Sequence, residues 1–544
     1  MSVSLKLASL FKETEEDHMT SFLKRNGFYV SAAILIASLI YYLSYASYGF
    51  IQGDWGLIVY SVEKFLQGKV FYRDFGVIYT PGIYIYTALF FKLLGVSLHS
   101  ATFAWSIIRA FNSLLIYLLG ARFVSRKAAL LLPLLLWLAP GDLHKSFFVF
   151  FELLNLLVLV KLLSSNTRRA YFFSGIMASI TFLFRIDLFG SFVAAVLLTE
   201  LLKAAGSLKS GSIISQITRS LKNLSFFSGG AVIVLSFFGL YLYSNGALND
   251  FLDQLLLAVN TAELTWFIKR APISQIFSWS PWDFAHYALL FIPAVIYSLL
   301  LAVLASDMVA GKFTEKDKRL SVLLLYGGML LSQIMNVPGL GRFFLISPPI
   351  LVSSMYLVSR HYINDESRYC TSKYCKTLRL IYAGSLSIVN FVFLALIIAS
   401  CFTWSMFTNG SIFTRLRNTA YLSAPRLKVF TTPEMAEEVN GIIDAIETMT
   451  DKDDYIFAYP HLNMYYFVTG RKNPIRYTLI EQYANSDEKQ SEVIRELEDK
   501  NIKLIVFRTD SRLHAPKIFK YINEHYETKE KIGTKLILMK KDQA

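Results

Sequence analysis

The sequence predicts a polytopic α-helical membrane protein that carries a small α/β domain in its C-terminal part. Three observations predict it. Of 544 residues, 54% are hydrophobic and only 17% are charged, whereas soluble domains carry nearer a quarter charged residues. Apolar runs recur from Phe28 to Thr403, and at about 20 residues each can cross a hydrocarbon core of roughly 30 Å. After Trp404 these runs stop, and short strand and helix patterns alternate instead.

With no water in the hydrocarbon core, each apolar run must satisfy its own backbone and reads as a helix. Apolar length and loop charge together give about eleven spans. They run over 28–48, 99–120, 128–140, 147–163, 170–184, 187–203, 225–244, 285–305, 320–336, 343–359 and 379–403. The segment Pro81–Gly95 is apolar but short, and reads as a helix lying on, or dipping into, the outer surface. Residues 1–27 are mostly polar, and the run after them continues into aromatic residues rather than a small-residue cleavage site. That start reads as a cytoplasmic segment followed by a signal anchor.

Basic loops set the orientation. Lys24 and Arg25, then Arg122, Arg126 and Lys127, then Lys161, Arg168 and Arg169 fall on one side, as do the later basic loops around Lys222, Arg319 and Lys373. By this count roughly twenty Lys and Arg lie there against fewer than ten opposite, so that side is the cytoplasm. An odd number of spans then puts the C-terminal domain outside. The formal charge of +14 is thereby a matter of topology: no basic run interleaves with aromatics as a nucleic-acid groove would need, so no nucleic-acid partner is expected. Cys370, Cys375 and Cys401 show neither zinc spacing nor a disulfide framework. The organisation expected is a cytoplasmic segment 1–27, a transmembrane domain 28–403 with a long outer loop 49–98, and an extracytoplasmic α/β domain 404–544. Its compact outer loops point to the plasma (inner) membrane of a bacterium, with membrane lipids as neighbours.

In the last domain, Val429–Phe430 and Tyr455–Tyr459 read as strands around a helix from Pro433 to Met449, with Thr432 as its N-cap. Ser491–Lys500 reads as a polar helix, Ile502–Phe507 as a strand, Lys517–Tyr526 as a helix and Lys535–Lys540 as a last strand. This alternation suggests a partly parallel sheet.

The first outer loop reads Gln52-Gly53-Asp54-Trp55-Gly56, a helical stretch to Gln67-Gly68, then Tyr72-Arg73-Asp74-Phe75 and Tyr79-Thr80-Pro81-Gly82. Leu57, Ile58, Phe65 and Leu66 are expected to face lipid, with Glu63 and Lys64 near the headgroups, as in an interfacial amphipathic helix. Asp54 follows the first span, where a carboxylate meets both low dielectric and water. It reads either as a catalytic group or as a solvated cap for a helix beginning at Trp55. Asp74 reads first as a local partner for Arg73 or as turn chemistry.

This arrangement resembles the C-type glycosyltransferase superfamily, in particular the protein-mannosyltransferase-like and aminoarabinose-transferase-like branches. The resemblance rests on Asp54, Gly68, Tyr72-Arg73-Asp74-Phe75 and Pro81 in that order, with the long first outer loop and the outer C-terminal domain. It implies a C-type fold, a polyprenyl-phosphate sugar donor, and Asp54 as the catalytic acidic residue acting as base towards the acceptor, often with inversion. Many members carry two adjacent acidic residues here, whereas Asp54 is followed by Trp55. No cofactor is therefore certain, a divalent metal stays open, and Asp74 is the second acidic candidate. The chemistry of sugar transfer agrees, since a carboxylate can take the acceptor hydroxyl proton. The phosphate leaves as an anion, which fixed positive charge serves better than a general acid.

Candidates for that positive charge are Arg342, Arg185, Lys145 and Arg270. Arg185 lies beside Asp187 between two runs, where a mutual ion pair is the competing reading. Arg342 sits among glycines at the outer entrance of a span, where snorkelling competes with phosphate binding. Lys145 follows His144 in a short outer loop, and Lys269 and Arg270 beside Trp266 could instead anchor to anionic lipid. Arg471 and Arg476 flank a Gly-Arg-Lys-Asn-Pro stretch that reads as a helix stop and turn. The expected partners are a lipid-linked sugar donor and a glycan, lipid or protein acceptor. A lipid-linked-sugar flippase or transporter, or a glycan-polymer ligase, is the alternative. A flippase needs polar residues at mid-membrane depth, and here polar residues collect at the outer ends of spans.

Overall fold

The computed structural model describes residues 26–139, 141–165, 167–207, 213–256, 278, 280–335, 340–363, 384–392, 394–395, 412–480, 484, 486–509 and 515–541. Two compact units emerge, and neither follows chain order. One comprises Met1–Ser44, Ser106–Leu235 and Ile268–Ser411; the other comprises Tyr45–Trp105, Ser236–Phe267 and Ile412–Ala544.

The first unit is helical. Among the described residues, Leu98–Gly120, Leu143–Ser164, Ile214–Ser244 and Phe291–Val309 are long and apolar enough to cross a membrane. Shorter or more polar helices occupy other expected spans, among them Gly27–Leu43, Arg168–Phe184, Ile186–Ser207, Glu315–Leu330 and Ser347–Ile363. The run expected at 128–140 is broken into Arg126–Ala129 and Leu131–Leu138, with the Ser125 hydroxyl capping the first piece through the Ala128 N–H. The run expected at 225–244 belongs to a 32-residue helix that starts at Ile213; its first turns are polar, so apolar length alone underestimates it. Of the run expected at 379–403, only 384–392 and 394–395 are described, as helix.

Small residues let two of these helices touch backbone to backbone. A methyl group at Gly175 would overlap the Phe227 carbonyl, and one at Gly230 would overlap the Phe172 carbonyl. Ser179 Oγ donates across the same seam to the Ala231 carbonyl at 2.8 Å. Such close approach is how helices associate where lipid removes the hydrophobic drive between them.

Polar groups are not confined to the ends of spans. Within the Ser146–Ser164 helix, Asn155 donates to the Tyr326 hydroxyl at 3.1 Å and accepts from Thr181 at 3.3 Å. Glu152, one turn earlier, is buried, and its Oε1 has no hydrogen-bond partner among the described residues. Hydropathy averages hide single polar residues inside a long apolar run, which is why the end-weighted expectation fails here.

The second unit is α/β. Its four-stranded sheet has the order β3-β4-β6-β5. It is built from β3 (Phe457–Tyr459), β4 (Leu504–Arg508), β5 (Tyr526–Ile532) and β6 (Lys535–Lys540). The β3–β4 pair is parallel, with Phe457 opposite Ile505, and the other two pairs are antiparallel. A separate antiparallel pair joins β1 (Ala420–Leu422) to β2 (Val429–Thr431). The Pro433–Met449 helix starts with proline in its first turn, and Thr432 Oγ1 accepts the Met435 N–H at 3.3 Å. The helix expected at Ser491–Lys500 begins four residues earlier, at Asp487, because Ser486 caps it and Asp487 and Glu488 fill its first turn. β5 escapes sequence reading: Tyr-Glu-Thr-Lys-Glu-Lys-Ile is almost wholly exposed at the sheet edge and carries no apolar alternation.

The segment after the first span belongs to this unit, and that corrects one expectation. In the Asp54–Leu66 helix, Trp55, Leu57, Ile58, Val59 and Val62 are completely buried. Leu57 joins Phe457, Tyr459, Ile505 and Phe507 in the sheet's hydrophobic core, and Phe65 stacks on Phe71 at 4.8 Å. Leu57 and Ile58 are covered by protein, not by lipid, while Phe65 and Leu66 stay partly exposed. By contrast the Gly82–Leu94 helix leaves Ile85, Leu89 and Leu93 exposed at i, i+4 and i+8, the stripe that a surface-lying helix presents.

Candidate active site

Asp54 is the first residue of its helix, and Gly53, not Asp54, stands at the N-cap, with no side-chain cap bond. The helix thus begins at Asp54 itself rather than at Trp55. Its carboxylate stands at the positive end of the helix dipole and is about a quarter exposed. Facing it is His461, whose Nε2 lies 3.4 Å from Asp54 Oδ1.

Glycines make this meeting possible. A Cβ at Gly53 would lie 3.0 Å from the His461 ring, and one at Gly56 would overlap the backbone of Met464. The missing side chains let the Asn463–Thr469 helix pack directly on the Asp54–Leu66 helix and bring the loop from β3 to Asn463 over Asp54. His461 holds the turn with φ +55°, a left-handed conformation that residues other than glycine adopt rarely. Beside Asp54, Trp55 meets Trp105 edge-on at 5.7 Å, and the Trp105 indole donates to Thr87 at 3.0 Å. The carboxylate thus rides on a rigid, fully packed first turn. Together, Asp54 and His461 supply one oxygen and one nitrogen donor, a partial ligand set for a divalent cation.

Farther along the helix, Glu63 pairs with Arg426 at 2.6 Å, and Arg426 also donates to the Phe467 carbonyl at 2.8 Å. Burial pushes the Glu63 carboxyl above its usual range, and Arg426 only partly offsets this. Asp74 sits beyond the other end of the helix from Asp54, a helix about 20 Å long for its thirteen residues. Asp74 Oδ1 and Oδ2 accept from Arg73 Nε and Nη2 at 2.8 and 3.0 Å, and Oδ2 also accepts the Val70 N–H at 2.8 Å. The Arg73 guanidinium holds the Asp74 carboxyl below its usual range. Asp74 closes its own turn and does not stand beside Asp54.

The cationic candidates of the first unit have local partners. Arg185 Nε lies 2.5 Å from Asp187, and its guanidinium covers the Phe148 ring at 3.7 Å. Lys145 donates to Asp142 Oδ2 at 2.6 Å. Arg342 is half-buried on the short Leu340–Leu345 helix. Arg270 lies outside the described residues, as do Lys269 and Trp266. Arg471 is structural: it donates to Thr450 Oγ1, to the Thr450 carbonyl and to the Thr469 carbonyl, just past the helix stop at Gly470, where φ is +72°.

Sequence reasoning missed two groups. His461 lies far from Asp54 in the chain, and nothing in its neighbourhood marks it as a partner. Arg109, in the middle of the Leu98–Gly120 helix, is buried and donates to the Gly141 and Ala139 carbonyls at 3.0 Å each. A lone arginine inside an apolar run was the available signal there.

The helical unit and the α/β unit, with Asp54 opening a helix of the latter, make up a fold that solved structures share. Among solved structures, the chain is similar to ArnT from Cupriavidus metallidurans bound to undecaprenyl phosphate, with a TM-score of 0.52 and 10% identity over 95% of this chain and 98% of that one. The apo state of the same protein gives the same values. The Archaeoglobus fulgidus oligosaccharyltransferase tethered to an acceptor peptide gives a TM-score of 0.47 and 12% identity, over 93% of this chain and 73% of that one. At these identities the likeness is one of fold. No family model and no curated protein matches the sequence.

Proposed function

We propose that this protein is a membrane glycosyltransferase that moves a sugar from a polyprenyl-phosphate donor to an acceptor hydroxyl on the extracytoplasmic face. The observation that carries the reading is the placement of Asp54, held at a helix N-terminus by a packed first turn and left about a quarter open to solvent. The fold shared with a protein crystallised with undecaprenyl phosphate supports the choice of donor class.

In the proposed reaction, the Asp54 carboxylate accepts the acceptor's hydroxyl proton as that oxygen attacks the anomeric carbon. The bond to the carrier phosphate breaks on the opposite face, so the configuration inverts and the phosphate departs as an anion. His461 keeps the carboxylate oriented towards the incoming hydroxyl. Fixed cations serve the departing phosphate, and Arg342, Arg185, Lys145 and Arg270 remain the proposed suppliers.

The test is transfer by purified protein from a panel of polyprenyl-phosphate sugars, wild type against Asp54→Asn. The variant is expected to lose about a hundred- to ten-thousandfold in rate while binding undecaprenyl phosphate as before. Equal rates would remove Asp54 as the base. The flippase reading draws on one observation, the buried Glu152 and Asn155. It expects Asp54→Asn to leave lipid translocation in vesicles intact and Glu152→Gln to stop it.

A further inference from the structure

At the far end of the Asp54–Leu66 helix, a cleft of about 640 Å³ opens within the α/β unit, a volume in the range of small-ligand sites. Its walls come from the last turns of that helix, the Lys69–Phe75 segment, the Gly470–Thr478 loop and the Asp487–Asp499 helix. Lys64 stands ten residues after Asp54, about 15 Å along the helix axis.

The charges of this cleft do not cancel. Each lining carboxylate has a partner: Glu63 takes Arg426, Asp74 takes Arg73, Glu496 takes Lys500, and Glu492 takes Arg476 and accepts from the Tyr477 hydroxyl. Arg426 and Arg73 stand outside the lining, so they consume carboxylates without using the cleft's own cations. Lys64 and Lys69 form no ion pair among the described residues. Lys64 is half-buried, with its ammonium 5.1 Å from the centre of the Tyr60 ring. Tyr455, partly exposed on the same wall, carries Lys472 and Lys500 at 5.8 and 5.4 Å. Burial lowers the Lys64 ammonium from its usual range, the Glu63 carboxylate offsets part of this, and the like charges of Lys69 and Lys472 add to the lowering. An anion in the cleft would relieve that crowding.

Aromatic rings beside ammonium groups match a ligand with both a C–H-rich ring and an acidic substituent. We propose that this cleft binds an anionic saccharide, a carboxylate- or phosphate-bearing stretch of the acceptor, and so grips the acceptor one helix length from the reacting hydroxyl. The proposal rests on the transferase reading for its purpose, but the binding itself does not need the donor.

The experiment is calorimetry on the full-length protein in detergent, without donor, using α-1,4-linked trigalacturonate, neutral maltotriose and inorganic phosphate as probes. Trigalacturonate is expected to bind and maltotriose not, with binding weaker at high salt. The double variant Lys64→Gln/Lys69→Gln is expected to weaken binding about ten- to a hundredfold, through the loss of two charge-assisted contacts. The exposed single variant Lys69→Gln, which disturbs no packing, is expected to show part of that loss. Asp54→Asn is expected to bind normally, which separates this proposal from the fate of the transferase reading. Three results would overturn it: no trigalacturonate binding, equal binding of the two trisaccharides, or unchanged affinity in both lysine variants. Displacement of trigalacturonate by an equal concentration of phosphate would overturn the saccharide assignment as well.

Discussion

Replacing Arg426 by alanine isolates the electrostatics that tie the Asp54–Leu66 helix to the C-terminal stretch of the α/β unit. The substitution strands Glu63, whose side chain is 13% exposed and has Arg426 as its ion-pair partner at 2.6 Å. Breaking a fully buried pair costs about 3–5 kcal/mol. Arg426 is itself one-third exposed, so water reaches the orphaned carboxylate and about 2 kcal/mol is the better expectation. For a fold of roughly 150–250 residues that is a drop of about 4–8 °C in melting temperature. The sign with pH follows from Glu63, whose folded-state pKa is already raised by burial and rises further without the arginine. A carboxyl with a raised folded pKa contributes most stability when protonated, and loses it as pH climbs from the unfolded value through the folded one. The Arg426→Ala penalty should therefore be full at pH 8 and shrink towards pH 5, as read by thermal melts in detergent. In a Glu63→Gln background, which removes the stranded charge, the penalty should fall below about 1 kcal/mol. Equal losses at both pH values and in both backgrounds would refute the reasoning.

Three other substitutions probe the packing that positions the site. Gly56→Ala pushes a methyl group into the Met464 backbone, should cost about 1–3 kcal/mol, and should lower transfer more than donor binding, because the His461 loop moves with Met464. Gly230→Ala should destabilise the helical unit by a similar about 1–3 kcal/mol, read as a lower melting temperature, because the Phe172 carbonyl occupies the space. Thr432→Ala removes the cap on the Met435 N–H and should cost about 1 kcal/mol without changing transfer.

The helical unit was legible because each long apolar run admits few alternatives to a spanning helix. Asp54 stood out in the sequence as a carboxylate just past an apolar run, and the structure puts it at the start of a helix. The burial of Leu57 was not. Amphipathic spacing says that one face of the Asp54–Leu66 helix is apolar, but not whether lipid or protein covers it. The cover here is a sheet some four hundred residues later in the chain, at Phe457 and Ile505. His461 was hidden for the same reason, since it meets Asp54 only once the loop after β3 and the Asn463–Thr469 helix have packed onto Gly53 and Gly56. Elements that make their own case locally, such as the Thr432-Pro433 helix start, were readable. The edge strand Tyr526–Ile532 has no case of its own, because an adjacent strand alone gives it a reason to be extended.

The α/β unit is stitched from three stretches of chain, with Tyr45–Trp105 made several hundred residues before Ile412–Ala544. During translation, Trp55, Leu57 and Ile58 must wait for several hundred residues before their cover leaves the ribosome. A premature stop ahead of residue 412 would thus strip the first loop of its shelter while leaving its sequence intact. Excising the C-terminal part for separate expression would fail from the opposite side, because the core would lack its own first helix. A chemically silent defect late in the gene should therefore surface as an aggregation-prone, protease-sensitive segment near the start of the protein.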